Sequence, residues 1–444
     1  MTLEKYIYSN IPMMITYKKI ALYYLLLSFF FGIISGILNG LSIVLFGDIF
    51  IIALVFVTLF TKKLHRGSTP IVVLIILALV GMSGVFRYGF NIDIIGLFFR
   101  SRIIFVLLVT IFFYIYSFSN LDNNKLMKVD LFIENVIKLN IVVILVEGIA
   151  INYFDLQPYL KQVFGMGYYD NSPNPIFVDF VPNGLVFGRQ NASIISVIGV
   201  LWWFPWFQDW KRSLGKYIWL FASVTSWAFT ITTTSILCFI IPLLFIAYSG
   251  LAVKRRLTLM ILSSMLVFGV VSYYESILWM RYSSSIELHG GVENFVELYY
   301  DAFLEPMNPI KRAPLEFLLG TGHLASIDEI QYSIIRMNTV STELGFLLVA
   351  IKHGAVLVGI VFASFLIYIF KFLRFVRKSI IGNAEQYKIL RYVCVTLAIV
   401  VSLFHYTSIF QPGIIQLLAT TIALPYVIRK NSDHFQIKIM RLKS

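Results

Sequence analysis

The chain has 444 residues, of which 59% are hydrophobic and 13% charged, with a net charge of +13. That little charge cannot cover a soluble domain of this size, and long apolar runs exclude a β-barrel, whose strands show short alternating segments. The positive balance does not point to nucleic acid, because Lys and Arg gather in short stretches between apolar runs, as expected of a multi-pass membrane protein.

About twenty apolar residues cross a bilayer as a helix. Counting such runs predicts an all-α polytopic membrane protein with about twelve spans, a single integral membrane domain over 1–444. The approximate cores are 20–38, 41–61, 70–86, 100–118, 130–150, 191–207, 217–232, 235–252, 257–273, 343–370, 389–405 and 412–428. No cleavable leader is expected: Lys18 and Lys19 precede the first core, but "LNGLS" leads straight into the second. The segment 343–370 is too long for one untilted span, so a short re-entrant or surface helix is expected before it.

The loops "TKKLHR" (61–66), "NNKLMK" (123–128), "DWKRSLGK" (209–216), "VKRR" (253–256) and "KFLRFVRK" (371–378) are basic. Alternating spans put all of them on one face with both termini, and the positive-inside rule makes that face cytoplasmic. The other face carries two long loops, 152–190 and 274–341, the second with an amphipathic helical pattern at 292–305. Cys238 and Cys394 lie in apolar runs and read as packed, unpaired thiols. No His, Cys or Asp grouping has metal-ligand spacing, so no bound metal is expected.

The outer face breaks the charge bias with Arg87, Arg100, Arg102, Lys161, Arg189, Arg281, Lys311, Arg312 and Arg336. Arginine suits phosphate, because its planar fork of donors can bind two oxygens; the plainer alternative is snorkelling to headgroups or pairing with carboxylates. In "PNGLVFGRQNASIISVIGV" (182–200) a Gly-rich approach ends in Arg189, Gln190 and Asn191 where a span begins. "ITTTSIL" (231–237) makes a tight turn of hydroxyl residues, explicable by helix capping and close packing. "PIKRAPLEFLLGTGH" (309–323) holds two glycines and His323, a candidate base or simply a solvated loop side chain; His289 is a weaker candidate. "TVSTELGFLLVAIKHGAVLVGIVF" (339–362) places Glu343 at the start of an apolar run, with Lys352 and His353 further on. Glu343 can serve as a proton acceptor or as a carboxylate at a helix N-terminus, with Ser341 or Thr342 as cap. Charge inside the spans is otherwise sparse: Glu134, Lys138, Glu147 and Lys352.

Over about residues 180–370 this layout resembles the O-antigen polymerase and ligase superfamily, the Wzy and WaaL type. "GLVFGRQN" is similar to the Gly-x-x-x-x-Arg-x-Asn-like approach to the span after the first outer loop. "TTTS" stands where relatives often have a Thr/Ser-Arg pair, here without the arginine, and "LLGTGH" is similar to the Gly-x-Gly signature late in the second loop. In the ligases the polar residue eleven before the following glycine is a histidine, usually followed by asparagine; here Gly354 counts back eleven to Glu343, followed by Leu344. The resemblance implies a GT-C-like membrane glycosyltransferase of the bacterial inner membrane. It would join oligosaccharide repeat units carried on undecaprenyl pyrophosphate at the periplasmic face, with inversion and without metal or cofactor. Glu343, with His323 as next candidate, would take the acceptor proton, and Arg189, Arg281, Arg312, Arg336 and Asn191 would hold the pyrophosphate. Implied partners are the lipid-linked oligosaccharide, membrane lipids, a chain-length regulator and a flippase. The alternatives left open are the ligase that moves glycan onto lipid A core, a lipid-linked oligosaccharide flippase and a membrane acyltransferase.

Overall fold

The computed structural model describes residues 13–37, 47–55, 94–118, 121–154, 156, 159, 184–185, 188–204, 214–230, 232–248, 291, 293–294, 318, 349–350, 353–378, 383–403 and 412–443. These residues form helices and turns, and no strand occurs among them. In chain order the helices are α1 Met13–Ile37, α2 Ile94–Phe118, α3 Asn123–Phe154, α4 Arg189–Trp202, α5 Leu214–Thr230, α6 Thr233–Tyr248, α7 Ala355–Lys378, α8 Asn383–Ser402 and α9 Pro412–Lys443. A shorter helical stretch covers 47–55. They fall on the apolar runs of the sequence; the cores expected at 70–86 and 257–273, and most of both long loops, lie outside the described residues.

Helix ends follow from local chemistry. Asp122 caps α3: its Oδ1 accepts the Lys125 N–H at 2.8 Å and its Oδ2 accepts from Lys125 Nζ at 2.7 Å. The hydrogen bond from the Lys125 side chain, foremost, holds the Asp122 carboxyl below its usual range. The basic stretches 123–128 and 371–378, read as loops from the sequence, are helix ends instead, the first turns of α3 and the last of α7. Pro412 opens α9, where its missing N–H has no intrahelical partner to lose. Gly354, at φ 90, separates α7 from the helical residues before it. Its N–H still reaches the Ala350 carbonyl at 2.8 Å, and its carbonyl accepts from Val358 at 3.1 Å. The overlong apolar segment 343–370 is thus divided at the one residue type that adopts this backbone freely.

Among the described residues, two helical segments are long and apolar enough to cross a membrane, Ala355–Val376 and Pro412–Asn431; of an apolar 18-residue window in each, 33% and 83% respectively are buried in the bundle. The centre is made by α8 and α9 together with α2 and α4, whose residues 104–114, 191–202, 389–402 and 413–425 are buried all round. Helices α3, α5, α6 and α7 surround them with one buried face and one exposed face. In α5 the exposed side chains include Leu214, Tyr217, Ile218 and Phe221, while Ser223, Ser226 and Thr230 are buried together with Trp227. A soluble helix would turn such an apolar stripe inward. In α7 Val356, Ile360, Ile367 and Phe370 are likewise exposed, although its buried face, with Leu357, Val361, Phe365 and Ile369, is apolar too.

Helices α4 and α5 run antiparallel. Ser196 Oγ lies 2.7 Å from Ser226 Oγ, a Cβ on Gly199 would sit 2.8 Å from Ser223 Oγ, and Trp203 stacks on Trp219 at 5.8 Å. Helix α3 also runs against α4, with Ile141 beside Gly199. The end of α3 therefore meets the start of α4, and the start of α3 meets its end.

Candidate functional site

The start of α4 carries the residues that the sequence singles out. Arg189 is its first residue and Asn191, buried at 7% exposure, its third. The helix begins here with Gly188 at the N-cap, φ 109, a residue that has no side chain to cap with. Four residues earlier Gly184 turns at φ 63, against α3. A Cβ at Gly184 would meet Ile144 Cγ1 at 2.8 Å, so the backbone touches α3 there. The Gly184 N–H donates to Glu147 Oε2 at 2.7 Å, and Glu147 is itself buried, at 7% exposure.

Hydroxyl groups line the same end. Thr232 and Ser235 cap α6 reciprocally: Thr232 Oγ1 accepts the Ser235 N–H at 3.2 Å and Ser235 Oγ accepts the Thr232 N–H at 3.1 Å. Ser235 Oγ also accepts the Trp227 indole N–H at 2.8 Å and donates to the Thr232 carbonyl at 2.7 Å. Thr232 Oγ1 reaches Ser193 Oγ on α4 at 3.4 Å. The "ITTTSIL" turn is thus used for capping and close helix approach. Hydroxyls that bond across helices permit such approach without leaving a polar group unmatched in an apolar surround.

The opposite end of α4 is ionic, and sequence reading missed it. Asp130 of α3 accepts hydrogen bonds from Arg391 Nη2 and from the Tyr392 hydroxyl, both of α8 and both at 2.5 Å. Lys388 Nζ stands 3.7 Å from the other Asp130 oxygen. The Arg391 guanidinium, 5% exposed, lies 4.1 Å from the centre of the Trp202 ring at the end of α4. One buried cation thereby ties three helices. The available signal was a charge pair inside apolar runs; its partners stand 261 positions apart and the spacing rules of a single helix cannot join them.

Other basic helix ends gather here too. Lys18 of α1 is near Lys125 and Lys128, and burial, followed by these two charges, lowers its pKa. Asn431 of α9 donates to the Leu121 carbonyl at 3.0 Å, and Arg429 lies 5.2 Å from the Phe375 ring of α7. Of the charges read inside the spans, Glu134 and Lys138 pair at 2.7 Å, and Lys138 also covers Trp219 at 5.2 Å.

Glu343, His323, Arg281, Arg312 and Arg336 lie outside the described residues, as does Lys352; His353 is buried at 2% exposure. Of the expected site, Arg189 and Asn191 lie among the described residues, both in the first turn of α4. Among the described residues, no three His, Cys, Asp or Glu side chains form a group able to hold a metal ion. Cys238 and Cys394 are buried free thiols. No protein-family model, curated protein or solved structure matches this chain.

Proposed function

We propose that the chain is a multi-pass inner-membrane glycosyltransferase, a polysaccharide polymerase that joins oligosaccharide units carried on a polyprenyl pyrophosphate. The observation that carries the reading is the start of α4: Arg189 opens a helix whose N-cap is a glycine, at the end of the bundle away from the gathered basic residues. A cation and the N–H groups of a helix start together favour an anionic group. Outward-facing apolar residues on α5 and α7 support a lipid environment, and about twelve spans follow from the sequence count.

The reaction is one displacement. A hydroxyl of the incoming lipid-linked unit attacks the anomeric carbon of the growing glycan. The new glycosidic C–O bond forms as the C–O bond to pyrophosphate breaks, inverting the centre. Glu343 accepts the hydroxyl proton, and the pyrophosphate leaves with the bonding electrons. Arg189, Arg281, Arg312, Arg336 and Asn191 stabilise the charge exposed on it. The chain-length regulator and flippase are partners of this reading. A lipid-linked oligosaccharide flippase would line a wet path with charge. Here Glu134 and Lys138 pair with each other, and Asp130 pairs with Arg391, which favours the transferase. The ligase alternative loses support from Glu343 standing where a ligase has histidine.

The test is polymer length on a gel, from purified chain in vesicles given lipid-linked repeat units. Wild type should extend them, and Glu343→Gln should slow extension about 10²–10⁴-fold with the fold intact. Extension by Glu343→Gln at the wild-type rate rejects the base assignment, and a loss in His323→Ala run beside it moves the role to that residue. No extension by wild type rejects the polymerase reading.

A further inference from the structure

Glu147 has no part in the reaction above, yet it is a buried carboxylate in the apolar half of α3. Such a group is retained against a desolvation penalty unless it is hydrogen-bonded. Its bond to the Gly184 N–H at 2.7 Å is charge-assisted and therefore among the stronger kinds. Gly184 has the backbone, φ 63, and the missing side chain that let the loop come this close to Ile144. Leu185 follows it into the interior at 5% exposure, and Gly188 and Arg189 begin α4. The carboxylate thus grips the chain five residues before α4 starts at Arg189.

We propose that Glu147 is a positioning residue: through the Gly184 N–H it fixes the backbone at Gly184 and Leu185, and with it the place where α4 starts and offers Arg189 to the donor pyrophosphate. The last clause rests on the transferase reading; the grip on the loop does not. Glutamine at 147 keeps an oxygen that can accept from Gly184 but loses the charge, so it should hold the loop less firmly. Alanine removes the acceptor and leaves the Gly184 N–H without it.

Two measurements on the full chain in nanodiscs separate these parts. The first needs no substrate. Leu185→Cys supplies a thiol where the loop is buried, while native Cys238 and Cys394 are buried at 0% exposure and give a slow background. Maleimide labelling of the thiol introduced at position 185 should be slow with Glu147 present and about tenfold faster in Glu147→Ala, with Glu147→Gln between them. Gly184→Ala, which collides with Ile144, should match Glu147→Ala and covers the case where the latter folds poorly. Equal labelling rates with Glu147 present, in Glu147→Ala and in Gly184→Ala overturn the proposal. The second measurement is turnover. Glu147→Ala should raise KM for the lipid-linked donor more than it lowers kcat, and adding it to Arg189→Ala should cost nothing further, as expected for residues acting as one unit. Fully additive losses overturn the link to Arg189. If wild type makes no polymer the transferase reading fails, and the labelling result still decides whether Glu147 holds the loop.

Discussion

The two ends of α4 solve the problem of buried polarity in opposite ways. At its close, Trp202 lies under a guanidinium that Asp130, Tyr392 and the nearby Lys388 accompany. At its start, neutral hydroxyls from α4, α5 and α6 bond to one another and to backbone, and the buried Glu147 accepts a backbone N–H close by. At the ionic end Asp130 and Arg391 hold helices together by answering each other's charge. The hydroxyl end holds helices together without charge, and the task proposed for Arg189, at the helix start, is a different one. The ends should therefore fail differently when altered, one in stability and the other in turnover.

The largest expected effect is at the ionic end. Asp130→Ala leaves Arg391 buried without its carboxylate, and breaking one partner of such a pair destabilises by about 3–5 kcal/mol. A thiol-reactive dye reports unfolding directly, because Cys238 and Cys394 are both buried in the folded chain. Replacing both partners, Asp130→Leu with Arg391→Leu, should recover most of the loss. If Asp130→Ala melts with wild type, the contrast between the ends collapses.

Next comes Arg189→Ala. A lost charge-assisted contact to phosphate is worth roughly 1.5–3 kcal/mol, so polymer formation should fall about 10–150-fold while the dye-detected melt stays put. Arg189→Lys should restore part of the activity, since it keeps the charge and loses the fork. A melt lowered as far as in Asp130→Ala would show that Arg189 is structural, like its counterpart at the other end.

The smallest effect sharpens the comparison. Thr232→Ala removes one half of the reciprocal cap on α6 and should cost about 1 kcal/mol of stability, with turnover unchanged. A turnover loss at wild-type stability would mean that this hydroxyl takes part in more than packing.

How much of this could be read from the sequence depends on range. Helix positions were legible, because a run of apolar residues is a local signal. Arg189 and Asn191 at a helix start were legible for the same reason: the Gly-rich approach and the apolar run sit side by side. The division at Gly354 showed as a segment too long for one crossing, though its place needed the backbone. Basic helix ends were taken for loops because charge marks a membrane boundary without saying where the helix stops. The Asp130–Arg391 pair and the Glu147–Gly184 bond were not legible. Each joins residues that no helical period relates, and a single carboxylate in an apolar run looks the same whether its partner is a cation, an amide or water.

The centre of the bundle has one more consequence, for the order of events at the ribosome. Synthesis proceeds from the amino end, yet α8 and α9, half of the buried centre, are made after the other described helices. Asp130 has emerged long before Arg391 exists, and Ala21, Phe29 and Leu121 wait likewise for contacts with α2 or α9. Until α8 and α9 are made, the faces that α4 and α2 turn toward them are uncovered, and Asp130 lacks Arg391. A nascent chain arrested at residue 383 should be cut readily by an intramembrane or soluble protease at sites that the finished chain protects; equal resistance of both would mean that the earlier helices pack fully without α8 and α9.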